Sequence, residues 1–171
     1  FNTYVHTQFN NGWWFHLGGT IGAGQVYCDR NCTRGGPALK VEPSFSPWGG
    51  IEGDNRNAII PSFWVIISRG DGGRSTYCNL NPSVRNNVST RYSSSLSINY
   101  SRNKDDSQWF GNFLDDGGAE HFTFARLDQR TLGLTWRLNY TFTPNASLQL
   151  YANPFVLKGT YSDVRELAAT R

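Results

Sequence analysis

The stretch Thr131-Leu132-Gly133-Leu134-Thr135-Trp136-Arg137-Leu138-Asn139-Tyr140-Thr141-Phe142-Thr143 alternates with a period of two. Leu132, Leu134, Trp136, Leu138, Tyr140 and Phe142 share one face, and Thr131, Gly133, Thr135, Arg137, Asn139 and Thr141 share the other. Successive side chains of an extended strand point to opposite sides, so this stretch is a strand with one apolar and one polar face. Ser89 to Ser101 repeats the pattern: Tyr92, Leu96, Ile98 and Tyr100 oppose Arg91, Ser93, Ser95, Ser97 and Asn99. Trp13, Phe15, Leu17 and Ile21 oppose Trp14, His16 and Thr20, and Leu39, Val41 and Phe45 oppose Lys40, Glu42 and Ser44. Leu148, Leu150, Ala152 and Val156 form a further apolar row. Residues 59–67 are apolar on both faces, which leaves their register open.

Extended outward, the pattern predicts an all-β, antiparallel up-and-down meander of about eight strands. They are expected over residues 1–9, 13–23, 38–47, 58–69, 74–85, 89–101, 121–142 and 147–158. Most exceed the five or six residues usual in globular strands and reach the ~9–11 residues that cross a bilayer as a tilted β-strand. One set of connections is mostly short: 10–12, 86–88 and 143–146, with 47–57 as the exception. The other set holds the two longest loops, 24–37 and 101–120. Lys40, Glu42, Arg91 and Arg137 fall on the polar face, whereas Arg69, Arg74 and Lys158 break parity only at strand ends. Short turns at one rim, long loops at the other and charges kept off mid-strand apolar positions are the marks of a transmembrane outer-membrane β-barrel. A soluble two-sheet sandwich also alternates and stands as the competing architecture.

Composition bounds the function. The chain has 171 residues, 15% of them aromatic and 17% charged, with 18 glycines and no methionine. That aromatic load excludes a disordered chain, and no apolar run reaches the ~18 residues of a membrane helix. The negative mean hydropathy is compatible with a barrel, where only alternate residues meet lipid. A net charge of +3 gives no footprint for nucleic acid. The chain opens at Phe1 without a signal segment and stops at Arg171 just after a strand-like run, so all of 1–171 is expected to be one barrel segment within a longer chain.

Candidate site residues are few. Cys28 and Cys32 share an expected external loop and are either bonded or free thiols. Cys78 shares parity with Leu80 and Val84, as a small apolar residue would. Trp109 and Phe113 stand beside carboxylates and Asn112, where they would contact a sugar ring, plug the barrel or join an aromatic girdle. The carboxylates of 101–120 do not follow the spacing of a calcium loop. Lys40, Arg85, Arg91 and Arg137 are the expected lumen charges. Thr33-Arg34-Gly35-Gly36-Pro37 is a stiff corner, with Arg34 as an anion contact at the mouth. His6, His16 and His121 are the only histidines, and no Gly-x-Ser-x-Gly elbow, phosphate loop or zinc spacing occurs. No catalytic residue, cofactor or metal is therefore expected. A hydrolase would need one of those histidines beside a serine.

Asn139 to Asn145, Ser147 to Ala152 and Pro154 to Val156 resemble the C-terminal region of a bacterial family labelled domain of unknown function 5916. So do Tyr100 to Asn103 with Gln108-Trp109, Thr123 to Gln129, and Thr33 to Pro37. The resemblance implies an outer-membrane barrel in a Gram-negative-type envelope, with outer-membrane lipid as its surroundings. It also implies a secretion signal and an N-terminal carbohydrate-binding-like sandwich outside this sequence, through which carbohydrate would be met. Members are described variously as hydrolases or carbohydrate-binding proteins, and the resemblance supplies no catalytic residue to carry over. The Cys28/Cys32 pair departs from the family pattern.

Overall fold

A computed structural model describes residues 1–22, the backbone of 26–28, and residues 33–167. The strands are β1 (Asn2–Gln8), β2 (Trp14–Gly22), β3 (Val26–Cys28), β4 (Leu39–Val41), β5 (Ser44–Glu52), β6 (Ile59–Gly70), β7 (Ser75–Ser89), β8 (Tyr92–Leu114), β9 (Glu120–Thr143), β10 (Ala146–Ala152) and β11 (Phe155–Glu166). The one helical element among the described residues is the 3₁₀ turn Asp71–Gly73. Nine strands form one antiparallel sheet in the order β1-β2-β5-β6-β7-β8-β9-β10, with β11 also on β9. β10 covers Trp136 to Thr143 of β9 and β11 covers Thr123 to Gly133, so the two share one position in the sheet. The expected meander is present. The sheet is open rather than closed as a barrel, with β1 and β10/β11 at its edges.

Several boundaries differ from the sequence reading. Residues 38–47 are not one strand: β4 pairs with β3 in a separate hairpin, and the sheet strand begins at Ser44. Pro47 therefore lies inside β5 rather than opening a turn. It sits opposite Gly19, where the β5–β6 ladder skips from Phe45 to Trp48, so its missing N–H costs no ladder bond on that side. Residues 101–120 are not a loop. β8 and β9 run on to a tip at residues 115–119 through bulges at Asp105/Gln108 and Trp109/Gly111. The expected last strand is split at Asn153-Pro154. The Cys28/Cys32 pairing lies outside the described residues; Cys78 is free and sits opposite Ile67.

Register carries the apolar parity from strand to strand. Ile67, Val65 and Phe63 lie opposite Cys78, Leu80 and Pro82, which settles the doubly apolar stretch. Leu96 lies between Val84 and Trp136, and Tyr100 between Leu80 and Leu132. Leu132 is followed by Val156. On β2 and β6, on residues 96–100 of β8 and on 131–136 of β9, the apolar parity is largely the exposed one and the polar parity the half-buried one. Soluble proteins reverse that assignment. Leu17, Phe63, Leu96, Ile98, Leu132 and Trp136 are between 40% and 53% exposed, while the buried hydrophobic set is Ile60, Phe124, Ala125 and Leu127. The accessible surface is 11780 Å², against about 8,400 Å² for a compact chain of this mass. No second layer covers the apolar face among the described residues.

The apolar band is shorter than the strands. β8 has 23 residues and β9 has 24. On the apolar face, the row Tyr100/Leu132 is followed by Arg102/Arg130 and then Lys104/Asp128. Through these two rows both faces are polar; beyond them the β8–β9 hairpin continues and buries Phe124, Ala125 and Leu127.

Candidate functional site

The projecting hairpin is held by a buried carboxylate. Asp106 is 2% exposed and accepts from Arg74 Nε at 3.0 Å and from Arg126 Nε and Nη2 at 3.0 and 2.9 Å. Arg165 Nη2 stands 3.5 Å from Asp106 Oδ1 and also donates to the Asp106 carbonyl. The Asp106 N–H donates to Ser75 Oγ at 3.0 Å. Burial alone would raise the Asp106 pKa. The surrounding guanidiniums outweigh it and hold the carboxyl below its ordinary value. A bulge after Ser162, with Asp163 at φ 56°, turns Arg165 toward this centre. One side chain thereby ties β8 to the start of β7, to β9 and to β11.

Above this clasp the Thr33–Pro37 corner docks on β8. Thr33 is fully buried, and its hydroxyl donates to the Pro37 carbonyl at 3.0 Å. Asn112 Nδ2 donates to the Thr33 carbonyl at 3.3 Å, and Trp109 Nε1 donates to Asn112 Oδ1 at 2.9 Å. The Arg34 guanidinium lies 3.9 Å above the Trp109 ring. A cavity of about 600 Å³ opens beside it, lined by Arg34, Lys40, Gln108, Trp109, Phe124 and Arg165 among others. Lys40 thus sits on β4 at this mouth, outside the main sheet. Trp109 and Phe113 are separated: Trp109 is clamped in the cavity wall, whereas Phe113 is 52% exposed and packs near Phe110 at 6.4 Å. One face of Trp109 is already covered by Arg34, so a stacking ligand would have to use the other or displace the guanidinium.

The polar face holds two further groups. Arg85 and Arg137 both lie opposite Ser95. Arg85 Nη2 donates to Asn55 Oδ1 at 2.6 Å, and the Arg137 guanidinium lies 5.2 Å from the Tyr151 ring. Arg91 is in the turn between β7 and β8 at the same end. Across β1, β2, β5 and β6 runs an aromatic platform that the sequence reading missed. His16 stacks on Trp64 at 4.8 Å, His6 meets His16 at 4.8 Å, and Trp48 lies 6.2 Å from Trp64. Gly18 and Gly50 make it: a Cβ there would sit 2.4 Å from the Trp48 or Trp64 ring. The available signal was parity: Trp14, His16 and Gly18 share one parity, Trp48 and Gly50 share one on their own strand, and the register puts both sets on the same face. His6 Nδ1 and His16 Nδ1 are 2.5 Å apart, so one donates and the other accepts. The recorded hydrogen bonds of the three histidines go to one another or to carboxylates, and none reaches a serine. Among the described residues, no group of three or more His, Cys, Asp or Glu side chains is placed to hold a metal ion.

At the hairpin tip His121 Nδ1 is 2.6 Å from Glu166 Oε1, and Nε2 is 3.3 Å from Asp115 Oδ2. Both ring nitrogens can donate only in the imidazolium, so the hydrogen bond to Glu166, then that to Asp115, raises the His121 pKa above its ordinary 6.5. Asp115 is lowered from 3.8, chiefly by the Ala119 N–H, then by His121. A raised histidine stabilises the fold fully below its unfolded pKa and loses that effect as pH rises through the folded value. A depressed carboxylate stabilises above its unfolded value and loses that as pH falls through the folded one. The tip is therefore held best between about pH 4 and 6.5. An NMR titration of the His121 ring is expected to give a midpoint above 6.5, and Glu166→Gln to move it down; a midpoint unmoved by that change refutes the assignment.

These observations define a class: a one-layer, open antiparallel sheet, apolar on its more exposed side and polar on its half-buried side, with an ion-clasped hairpin beyond the apolar band. The chain belongs to the family described as Domain of unknown function (DUF5916), which matches residues 1–170. No curated protein and no solved structure matches it.

Proposed function

We propose that this chain is a wall segment of an outer-membrane β-barrel, non-enzymatic, that anchors or transports in connection with carbohydrate handling by a longer protein. The observation that carries the reading is the inverted exposure: register-matched apolar side chains stand on the more exposed face and polar ones on the half-buried face. Lipid accepts the first surface and a hydrated lumen the second. The open edges of β1 and β11 would be closed by further strands, because an unpaired edge is not tolerated in the hydrocarbon. The test is gel mobility of the full-length product from membrane fractions, boiled and unboiled in detergent. A heat-dependent shift supports the barrel; a soluble product without a shift refutes it. In this reading Arg85 and Arg137 line the lumen and bias it toward anions. Reversing both to glutamate is expected to move the reversal potential in planar bilayers toward cation preference, and an unchanged potential excludes them from the pathway.

A further inference from the structure

Three cations lie side by side on the apolar face, one residue pair above the apolar band. Arg130 of β9 is directly opposite Lys158 of β11 on one side and Arg102 of β8 on the other. Directly opposed residues of like charge repel across a sheet. In the next row Asp128 lies between Lys104 and Thr160. Its carboxylate is already engaged, accepting from Arg102 Nε at 3.1 Å and Nη2 at 2.7 Å. Arg130 and Lys158 take part in none of the ion pairs among the described residues, and both are exposed. With Asp128, Thr160 and Ser162 they line a hollow of about 360 Å³. The hollow therefore presents two cations outside any ion pair, two hydroxyls and the Asp128 carboxylate, whose charge Arg102 already engages.

A second hollow of about 310 Å³ adjoins it on the same face. Ile98, Leu132, Leu134, Pro154 and Val156 line it with almost no polar surface. It forms where the β10–β11 break at Pro154 interrupts the cover on β9 beside Leu132 and Leu134. Leu132 is two residues from Arg130 and Val156 two residues from Lys158, a rise of about 6–7 Å along each strand.

Resting on the membrane-wall reading above, we infer that these adjoining hollows form a site for one anionic lipid whose headgroup is a phosphomonoester with no cation of its own. The headgroup phosphate lies between Arg130 and Lys158, with Thr160 and Ser162 as further donors, and an acyl chain lies in the notch at Pro154. Charge-assisted bonds to the phosphate oxygens relieve the repulsion within the cation row. The apolar notch supplies the surface that a free inorganic ion cannot use.

The test is native mass spectrometry of the full-length protein released from detergent micelles, with dioleoyl phosphatidic acid or dioleoyl phosphatidylcholine added in equal amount. Phosphatidic acid is expected to be retained about tenfold better, which is the difference two charge-assisted contacts readily supply. Arg130→Gln with Lys158→Gln abolishes the preference; should that pair fail to fold, Lys158→Gln alone is read and weakens it. Excess inorganic phosphate leaves the lipid bound. Equal retention of the two lipids, an unchanged preference in the variants, or displacement by inorganic phosphate overturns the site. A wild-type protein that shifts on boiling yet shows no preference overturns the lipid site alone. One that is soluble and shows no shift overturns the membrane reading beneath it.

Discussion

Leu96→Arg is expected to destabilise the folded protein by about 2–4 kcal/mol, while Ser97→Arg, one residue along the same strand, costs less than about 1 kcal/mol. The two positions share a depth and differ only in face. Leu96 is 40% exposed and lies in the row Val84–Leu96–Trp136, midway along the apolar part of β8. Ser97 lies in the row Ser83–Ser97–Thr135 and accepts from Asn81 Nδ2 at 3.1 Å. In water an arginine replacing a half-exposed leucine changes stability by within about 0.5 kcal/mol. In hydrocarbon the same guanidinium must be desolvated or dragged to the interface. The measurement is urea unfolding of the full-length protein in phospholipid vesicles, followed by tryptophan fluorescence. Equal small effects at both positions would place Leu96 in water.

Much of the sheet was legible because alternation is a direct print of a two-sided environment. Thr131 to Thr143 lies wholly inside β9, and the parity read there continues through the observed register into β8, β10 and β11. Legibility ended where the environment stopped being two-sided. From Ser101 to Ser107 β8 is polar on both faces, so Arg102 to Asp105 reads as a solvated loop although it is paired strand. Pro47 misled in the opposite sense; Pro82, expected inside a strand and found there, sits at a similar skipped ladder position between the Leu80–Tyr100 and Ser83–Ser97 pairs. The aromatic platform needed a cross-strand fact, that Gly18 faces Trp48 and Gly50 faces Trp64. Parity places residues on a face but does not say which glycine lies under which ring. The lumen candidates divided as well: Arg85 and Arg137 lie on strands of the main sheet, while Lys40 belongs to β4, which pairs with β3 in a separate hairpin.

Asp106→Ala is expected to lower the unfolding free energy by about 3 kcal/mol, the lower end of the range for breaking a buried ion pair. The carboxylate is nearly fully buried, whereas the side chains of Arg74, Arg126 and Arg165 are 61%, 51% and 43% exposed. Water reaches the guanidiniums and softens the loss of their partner, which sets the lower end. The remaining cost has two parts. Arg74, Arg126 and Arg165 are left to repel one another around a cavity. The carboxylate's hydrogen bonds from Arg74 and Arg126 disappear, while the backbone bonds of Asp106 to Ser75 and Arg165 remain. Arg126→Ala removes a bidentate donor but leaves Asp106 with its other partners, and is expected to cost about 1–2 kcal/mol. In the double variant the arginine change costs less than it does alone, because the carboxylate it served is gone. Trp109 lies three residues from Asp106 and reports the change, its emission moving to the red as the hairpin loosens and water enters the mouth. Additive losses would show that Asp106 and Arg126 act independently, and an unshifted Trp109 spectrum would place the stability of the mouth elsewhere than in this clasp.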